Sequence, residues 1–207
     1  MTELSLSTDQ VNRVARIYQR LEEEYNKVAA ALGFGCEGCP DNCCDSYFLH
    51  HTYSEWAYLR LGLGRLPAAK RSQVLARAED YRQQCLLAQA RDERPRVMCP
   101  LNEDGLCILY AERLLVCRTH GVPARMRRPD GRMVEFPGCF RCQEVVAERE
   151  KTGLKTPRTD RTALLTELAQ VENELLDSER QRYPRVRLTI AEMLLARPAA
   201  LPPQRGQ

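Results

Sequence analysis

No stretch of the sequence approaches the roughly 20 consecutive apolar residues that a membrane-spanning helix requires. Met1–Leu6 lacks the basic start and apolar run of a signal peptide, so a reducing cytoplasm is the expected setting. Charge of one sign is missing too: 31 Lys and Arg stand against 28 Asp and Glu, a net +3. Dedicated nucleic-acid binders usually carry a strong basic excess, so neither nucleic acid nor a membrane is an expected partner. Aromatic residues make up only 6%, with one Trp, and there are three His. Catalytic motifs are absent as well. The chain has no Gly-rich phosphate loop, no HExxH, no nucleophile elbow and no dinucleotide fingerprint, which argues against a nucleotide cofactor. These residues name no reaction.

What remains is an ordinary globular composition, 43% hydrophobic and 29% charged, over 207 residues. That length suits one domain with an appendage. From Thr8 to Leu32 the apolar positions Val11, Val14, Ile17, Leu21, Tyr25, Val28 and Leu32 fall in steps of three and four, which predicts a helix. A shorter helix is expected over Ser54–Leu61, stopped by Gly62 and Gly64. A third begins near Pro67, with Val74, Ala78, Tyr81, Cys85 and Ala88 as its apolar stripe. Pro129-Asp130-Gly131 between Ala124–Met126 and Met133–Phe136 reads as a hairpin turn. After a polar linker, Lys151–Asp160, a helix carries Leu164, Leu168, Val171 and Leu175. Thr189 with Glu192 has the pattern of a capping box for a last helix that stops at Pro198, and Ala199–Gln207 reads as a frayed tail. The expected fold is mainly α with a small irregular β-hairpin region, a helical scaffold around a cysteine-rich metal-binding module. The expected division is a cysteine-rich domain at 1–150 and a linker with a helical appendage at 151–207.

Sulfur is the abundant element of this chain, with ten Cys in 207 residues. In a reducing compartment clustered thiols serve as metal ligands or redox groups more often than as disulfides. Cys36-x2-Cys39-x3-Cys43-Cys44 opens the series, Cys99, Cys107 and Cys117 follow, and Cys139-x2-Cys142 closes it. A two-residue gap lets both sulfurs of a tight turn face one ion. Adjacent Cys43 and Cys44 would point oppositely in an extended chain. These nine are the candidate metal ligands, whereas Cys85, on an apolar helical stripe, reads as a small core residue. His120, at Cys117-x2-His120, and His50 and His51 are secondary candidates. Trp56 and the Tyr47-Phe48 pair are expected to wall the cluster. Six Arg and one Asp between Arg113 and Arg132 would favour a negatively charged thiolate centre nearby. The segment Gly33–Glu55, with Glu37, Asp41, Asp45 and Glu55 and no Lys or Arg, is locally acidic. Four soft ligands accept zinc or iron equally, including an iron–sulfur cluster, and nine thiols allow several stoichiometries.

The order Cys36-x2-Cys39-x3-Cys43-Cys44, Cys99-Pro100-Leu101, Gly105-Leu106-Cys107-Ile108-Leu109-Tyr110 and Cys117-Arg118 resembles the CxxCxxCC family of zinc- or iron-chelating domain proteins. The resemblance covers residues 36 to 142, about half of the chain. Three residues here precede the double cysteine where the family pattern has two, and Arg113 is followed by Leu114-Leu115 where members often have Pro. The resemblance implies a cysteine-rich bacterial domain holding zinc or iron, commonly without an assigned biochemical role. A flagellin lysine methylase has a similar cysteine arrangement, and some members are described as iron–sulfur oxidoreductases. The expected function is therefore a cytoplasmic zinc- or iron-binding protein, with an iron–sulfur enzyme or electron-transfer protein as the alternative on the same cysteines.

Overall fold

The computed structural model describes residues 3–36, 39 and 43–199. Among them the chain forms seven α-helices and two small sheets, of two and three strands. The architecture is mainly α with a minor β part, as the periodicity predicts. None of the described helices is long and apolar enough to cross a membrane.

Helix α1 spans Thr8–Leu32. Its start is a reciprocal cap: Ser7 N–H donates to Gln10 Oε1 at 2.9 Å, and Gln10 N–H donates to Ser7 Oγ at 3.2 Å. Both satisfy donors that the first turn of a helix leaves over. At the other end Phe34 N–H reaches the Ala29 carbonyl and Gly33 N–H the Ala30 carbonyl, at 2.9 and 3.1 Å. This closure needs a left-handed residue, and Gly33 supplies it at φ +61°.

The described residues within 1–12, 42–114 and 171–207 form one compact unit. Helices α2 (Tyr53–Arg65), α3 (Ala68–Gln89) and a last helix over Ile190–Leu195 supply its core, where Leu59, Leu63, Val74, Ala78, Met193 and Leu194 are almost wholly shielded. Each of these Leu, Val and Met side chains contributes roughly 1.5–3 kcal/mol relative to exposure. Polar groups at the helix ends are satisfied inside this core. Glu172 accepts from Tyr53 N–H at 2.9 Å and Ser54 N–H at 2.7 Å, capping α2 with a carboxylate from far along the chain. Trp56 Nε1 and Arg60 Nη1 donate to the carbonyls of Met193 and Leu194, at 2.8 and 2.7 Å. The Thr189–Glu192 capping box is formed. Two short strands, β1 (Asn102–Glu103) and β2 (Leu106–Cys107), complete the unit. Ala199, expected to start a frayed tail, bridges to Glu3, and residues 200–207 lie outside the described residues.

The second unit holds the described residues within 13–41 and 115–170. It contains α4 (Leu115–Thr119), the predicted hairpin of β3 (Ala124–Arg127) and β4 (Met133–Phe136), and α5 (Phe140–Lys151). The hairpin pairs Ala124 with Phe136 and Arg127 with Met133. A two-residue strand, β5 (Thr159–Asp160), lies parallel to β3 inside the segment read as a linker. Helix α6 spans Thr162–Leu175, and all four residues of its expected stripe are buried. Arg20 Nη1 of α1 pairs with Glu167 of α6 at 2.9 Å.

Leu175, Leu176, Ile190 and Met193 belong to the core that α2 and α3 build, so the compact units do not follow the order of the chain. One expectation is corrected here: helix α2 does not stop at Gly62. A Cβ at Gly62 would stand 2.9 Å from Cγ and Cδ of buried Glu112, so this glycine makes room for a neighbour within a continuing helix. Gly64 has open space around it. Gly62→Ala should therefore destabilise the protein by about 1–3 kcal/mol. Gly64→Ala should stabilise it by up to about 1 kcal/mol through helix propensity. Urea unfolding of both variants tests this pair, and equal effects would refute the role given to Glu112.

Candidate metal centre

The first gathering of thiols forms around Tyr25 of α1. Tyr25 Oη lies 3.8 Å from Cys36 Sγ, within hydrogen-bonding reach of sulfur. Close backbone approaches hold the phenol there. A Cβ at Gly121, whose φ is +138°, would collide with Tyr25 Oη, and one at Gly138 would collide with the Gly121 carbonyl. Cys139 N–H donates to that same carbonyl at 2.9 Å. Cys139 is the N-cap of α5, and its sulfur accepts from Cys142 N–H at 3.5 Å. An amide aimed at sulfur from three residues on is what a two-residue cysteine gap makes geometrically available, and it favours the thiolate. Cys139 and Cys142 are buried against Val28, Ala29, Leu32 and Val122. Burial, then the charges of Cys139 and Cys36, push the Cys142 thiol up to about 11. Burial and the same neighbours raise the Tyr25 phenol, Cys36 more than Cys139 or Cys142. Cys39, half-buried, closes a turn on Cys36 through its N–H to the Cys36 carbonyl at 3.2 Å.

A second gathering lies in the other unit. Cys99 N–H donates to the Cys44 carbonyl at 2.8 Å, and Ser46 bridges Arg96 antiparallel beside it. Asn102 N–H bonds back to the Cys99 carbonyl at 3.0 Å, and Asn102 pairs with Cys107 across the β1–β2 hairpin. The backbone thus draws Cys44, Cys99 and Cys107 together. Cys99 and Cys107 rest half-buried on the core of this unit. Burial pushes the Cys99 thiol up to about 12, the charges of Cys107 and Cys44 adding to it, while an N–H from Leu101 and the Arg77 guanidinium pull downward. Cys43 and Cys44 occupy one 3-10 turn, Cys43–Asp45, where side chains fan by about 120° per residue. They do not take the opposite faces expected of an extended chain.

The remaining candidates are placed as follows. Cys85 is buried on α3 beside Tyr81, as its stripe predicts. Cys117 is exposed on α4. His51 Nδ1 lies 3.2 Å from the Val186 carbonyl, and His120 is half-buried, lowered by burial and by Arg161. Trp56 lies in the first unit's core, with Tyr47 packed against it. The arginines of the 113–132 run are largely engaged in structure: Arg118 is buried on the Tyr18 ring and pairs with Glu22 at 3.4 Å, Arg125 pairs with Asp160 at 3.1 Å, and Arg113 covers Tyr110. The guanidinium that favours the Cys99 thiolate is Arg77 of α3, outside that run. Asp45 pairs with Arg96 at 3.5 Å, while Glu37 and Asp41 lie outside the described residues.

Among the described residues no three His, Cys, Asp or Glu stand in an arrangement ready to hold an ion. The donor chemistry of both gatherings nevertheless fits a soft metal: neighbouring sulfurs raise Cys142 in one and Cys99 in the other, and an amide donor is aimed at sulfur in each. Compared with known proteins, the chain matches no family model, no curated protein and no solved structure.

His50 is the most buried of the three histidines. It is 5% exposed, and its backbone bridges Leu188 in both directions, at 2.8 and 3.2 Å. Burial, with the charge of His51, lowers its imidazole to about 4. The unfolded chain then binds a proton that the folded protein refuses, between the ordinary imidazole value of about 6.5 and about 4. Stability from this group is complete above that window and is lost as pH falls through it. Between pH 7 and pH 5 the wild type should lose about 2 kcal/mol more than His50→Gln, by urea unfolding. Parallel losses in the two proteins would show that His50 is not kept neutral.

Proposed function

We propose that this is a cytoplasmic protein that binds zinc or iron through cysteine thiolates. The observation that carries the proposal is the convergence of thiols from distant stretches, with backbone N–H groups of Cys142 and Leu101 already directed at the sulfurs of Cys139 and Cys99. Thiols raised by burial and by neighbouring sulfur, as Cys142 and Cys99 are, stay protonated unless a cation joins them, and a bound metal reverses that balance. The resemblance to the CxxCxxCC family points the same way. The metal's ligands would come from Cys36, Cys39, Cys43, Cys44, Cys99, Cys107, Cys117, Cys139 and Cys142. When bound, zinc would supply folding energy to the irregular segments around these residues. An iron–sulfur cluster on the same ligands would instead make the protein an electron carrier or an enzyme.

Metal analysis and visible spectroscopy of protein purified without oxygen test this. Colourless protein with stoichiometric zinc is the expected result for a structural site. A brown preparation with acid-labile sulfide selects the iron–sulfur form. Protein that carries no metal, and takes none up from zinc or ferrous salts, refutes the proposal. Cys39→Ser should lower both metal content and thermal midpoint, whereas Cys85→Ala, in the core of α3, should leave metal content nearly unchanged. Equal metal loss in the two variants would overturn the ligand assignment.

A further inference from the structure

The cysteine series is divided by the fold. Cys36 and Cys39 belong to the same compact unit as Cys139 and Cys142, whereas Cys43 and Cys44 belong to the unit that contains Cys99 and Cys107. The change of unit falls inside the motif, between Cys39 and Cys43. Within the unit of α5, the Tyr25 phenol touches Cys36 at 3.8 Å, and Gly121 joins Tyr25 to Cys139 by contact on one side and a 2.9 Å hydrogen bond on the other. Within the unit of α2 and α3, the Cys44 carbonyl holds Cys99, and the β1–β2 hairpin returns Cys107.

We propose that the protein carries two metal centres, one on each unit: Cys36, Cys39, Cys139 and Cys142 hold the first, and Cys43, Cys44, Cys99 and Cys107 hold the second. This rests on the thiolate-binding function proposed above and deepens it by assigning ligands and number. Each set has four sulfurs, the coordination a closed soft-metal site requires. The first set is two cysteine pairs of two-residue gap, one after α1 and one opening α5. The second set is the double cysteine facing a hairpin. Cys43 joins the second set because it shares the 3-10 turn of Cys44. Cys117 stays outside both. Tyr25 is a positioning residue of the first centre, acting through Cys36.

The test is metal content of the full-length chain, purified without oxygen, as wild type, Cys142→Ser, Cys99→Ser and the double variant. Each single variant should lose its own share, the two losses should sum to the wild-type content, and the double variant should hold none. For zinc this means two equivalents falling to one in either single variant. Either single variant losing all metal, or a wild type with a single centre, overturns the two-centre assignment while leaving thiolate binding intact. A wild type without metal overturns both. If a cysteine variant does not fold, Tyr25→Phe decides, since it keeps the ring and removes only the hydroxyl. Under challenge by a zinc and iron chelator, one share should leave this variant several-fold faster than in the wild type and the other at the unchanged rate. A single common rate for both shares, or no acceleration of either, overturns the proposal.

Discussion

Thiols brought side by side in half-buried surroundings cannot all ionise unless positive charge reaches them. Burial penalises the thiolates of Cys142 and Cys99, and neighbouring sulfurs add to the penalty, which is why Cys142 rises to about 11 and Cys99 to about 12. An amide donor from Leu101 offsets part of that cost at Cys99, yet a dipole does not cancel a net charge. Arg77 reaches only the second gathering. The segments that carry these cysteines are short and irregular. Their positions are set by single backbone hydrogen bonds, such as Cys99 to Cys44 and Cys139 to Gly121, rather than by long ladders.

Those single bonds hold because what surrounds them is rigid. In the first unit the helix ends find their partners in the core: Glu172 closes the start of α2, and Trp56 and Arg60 close the end of the last helix. In the second, glycines let backbone and side chain approach more closely than any Cβ would permit, at Gly121 against Tyr25 and at Gly138 against Gly121. Buried Arg118, stacked on Tyr18 and paired with Glu22, fastens α4 to α1. The guanidinium of a Cys-Arg dipeptide is thus spent on packing, and its charge is not the one felt by Cys99.

The parts of this fold that could be read from sequence are those whose cause is local. The three-and-four spacing of α1 and α6, the Thr189–Glu192 cap and the Pro-Asp-Gly hairpin each depend on residues within one or two turns of each other. Gly62 reads as a stop in the sequence because the reason for it, Glu112, lies 50 residues away. Strand β5 has two polar residues and pairs with the edge that β3 offers, so no alternation announces it. Cys139 does carry a local signal, a cysteine in the N-cap position where Ser or Asp is usual, immediately before the run that forms α5. The spacing of the candidate ligands was legible, but their distribution between two units was not, since nothing local distinguishes Cys39 from Cys43.

That distribution changes what the motif means. In a single turn, four cysteines within nine residues would crowd one ion and leave later cysteines as supports. Here the chain passes from one compact unit to the other between the second and third of them, so the same nine residues contribute a pair to each. A pair is half of a four-sulfur site, and each half finds a second pair in its own unit, at Cys139 and Cys142 or at Cys99 and Cys107. The 3-10 turn at Cys43–Asp45 makes adjacency useful, because side chains about 120° apart can approach one point from two directions where an extended chain would part them.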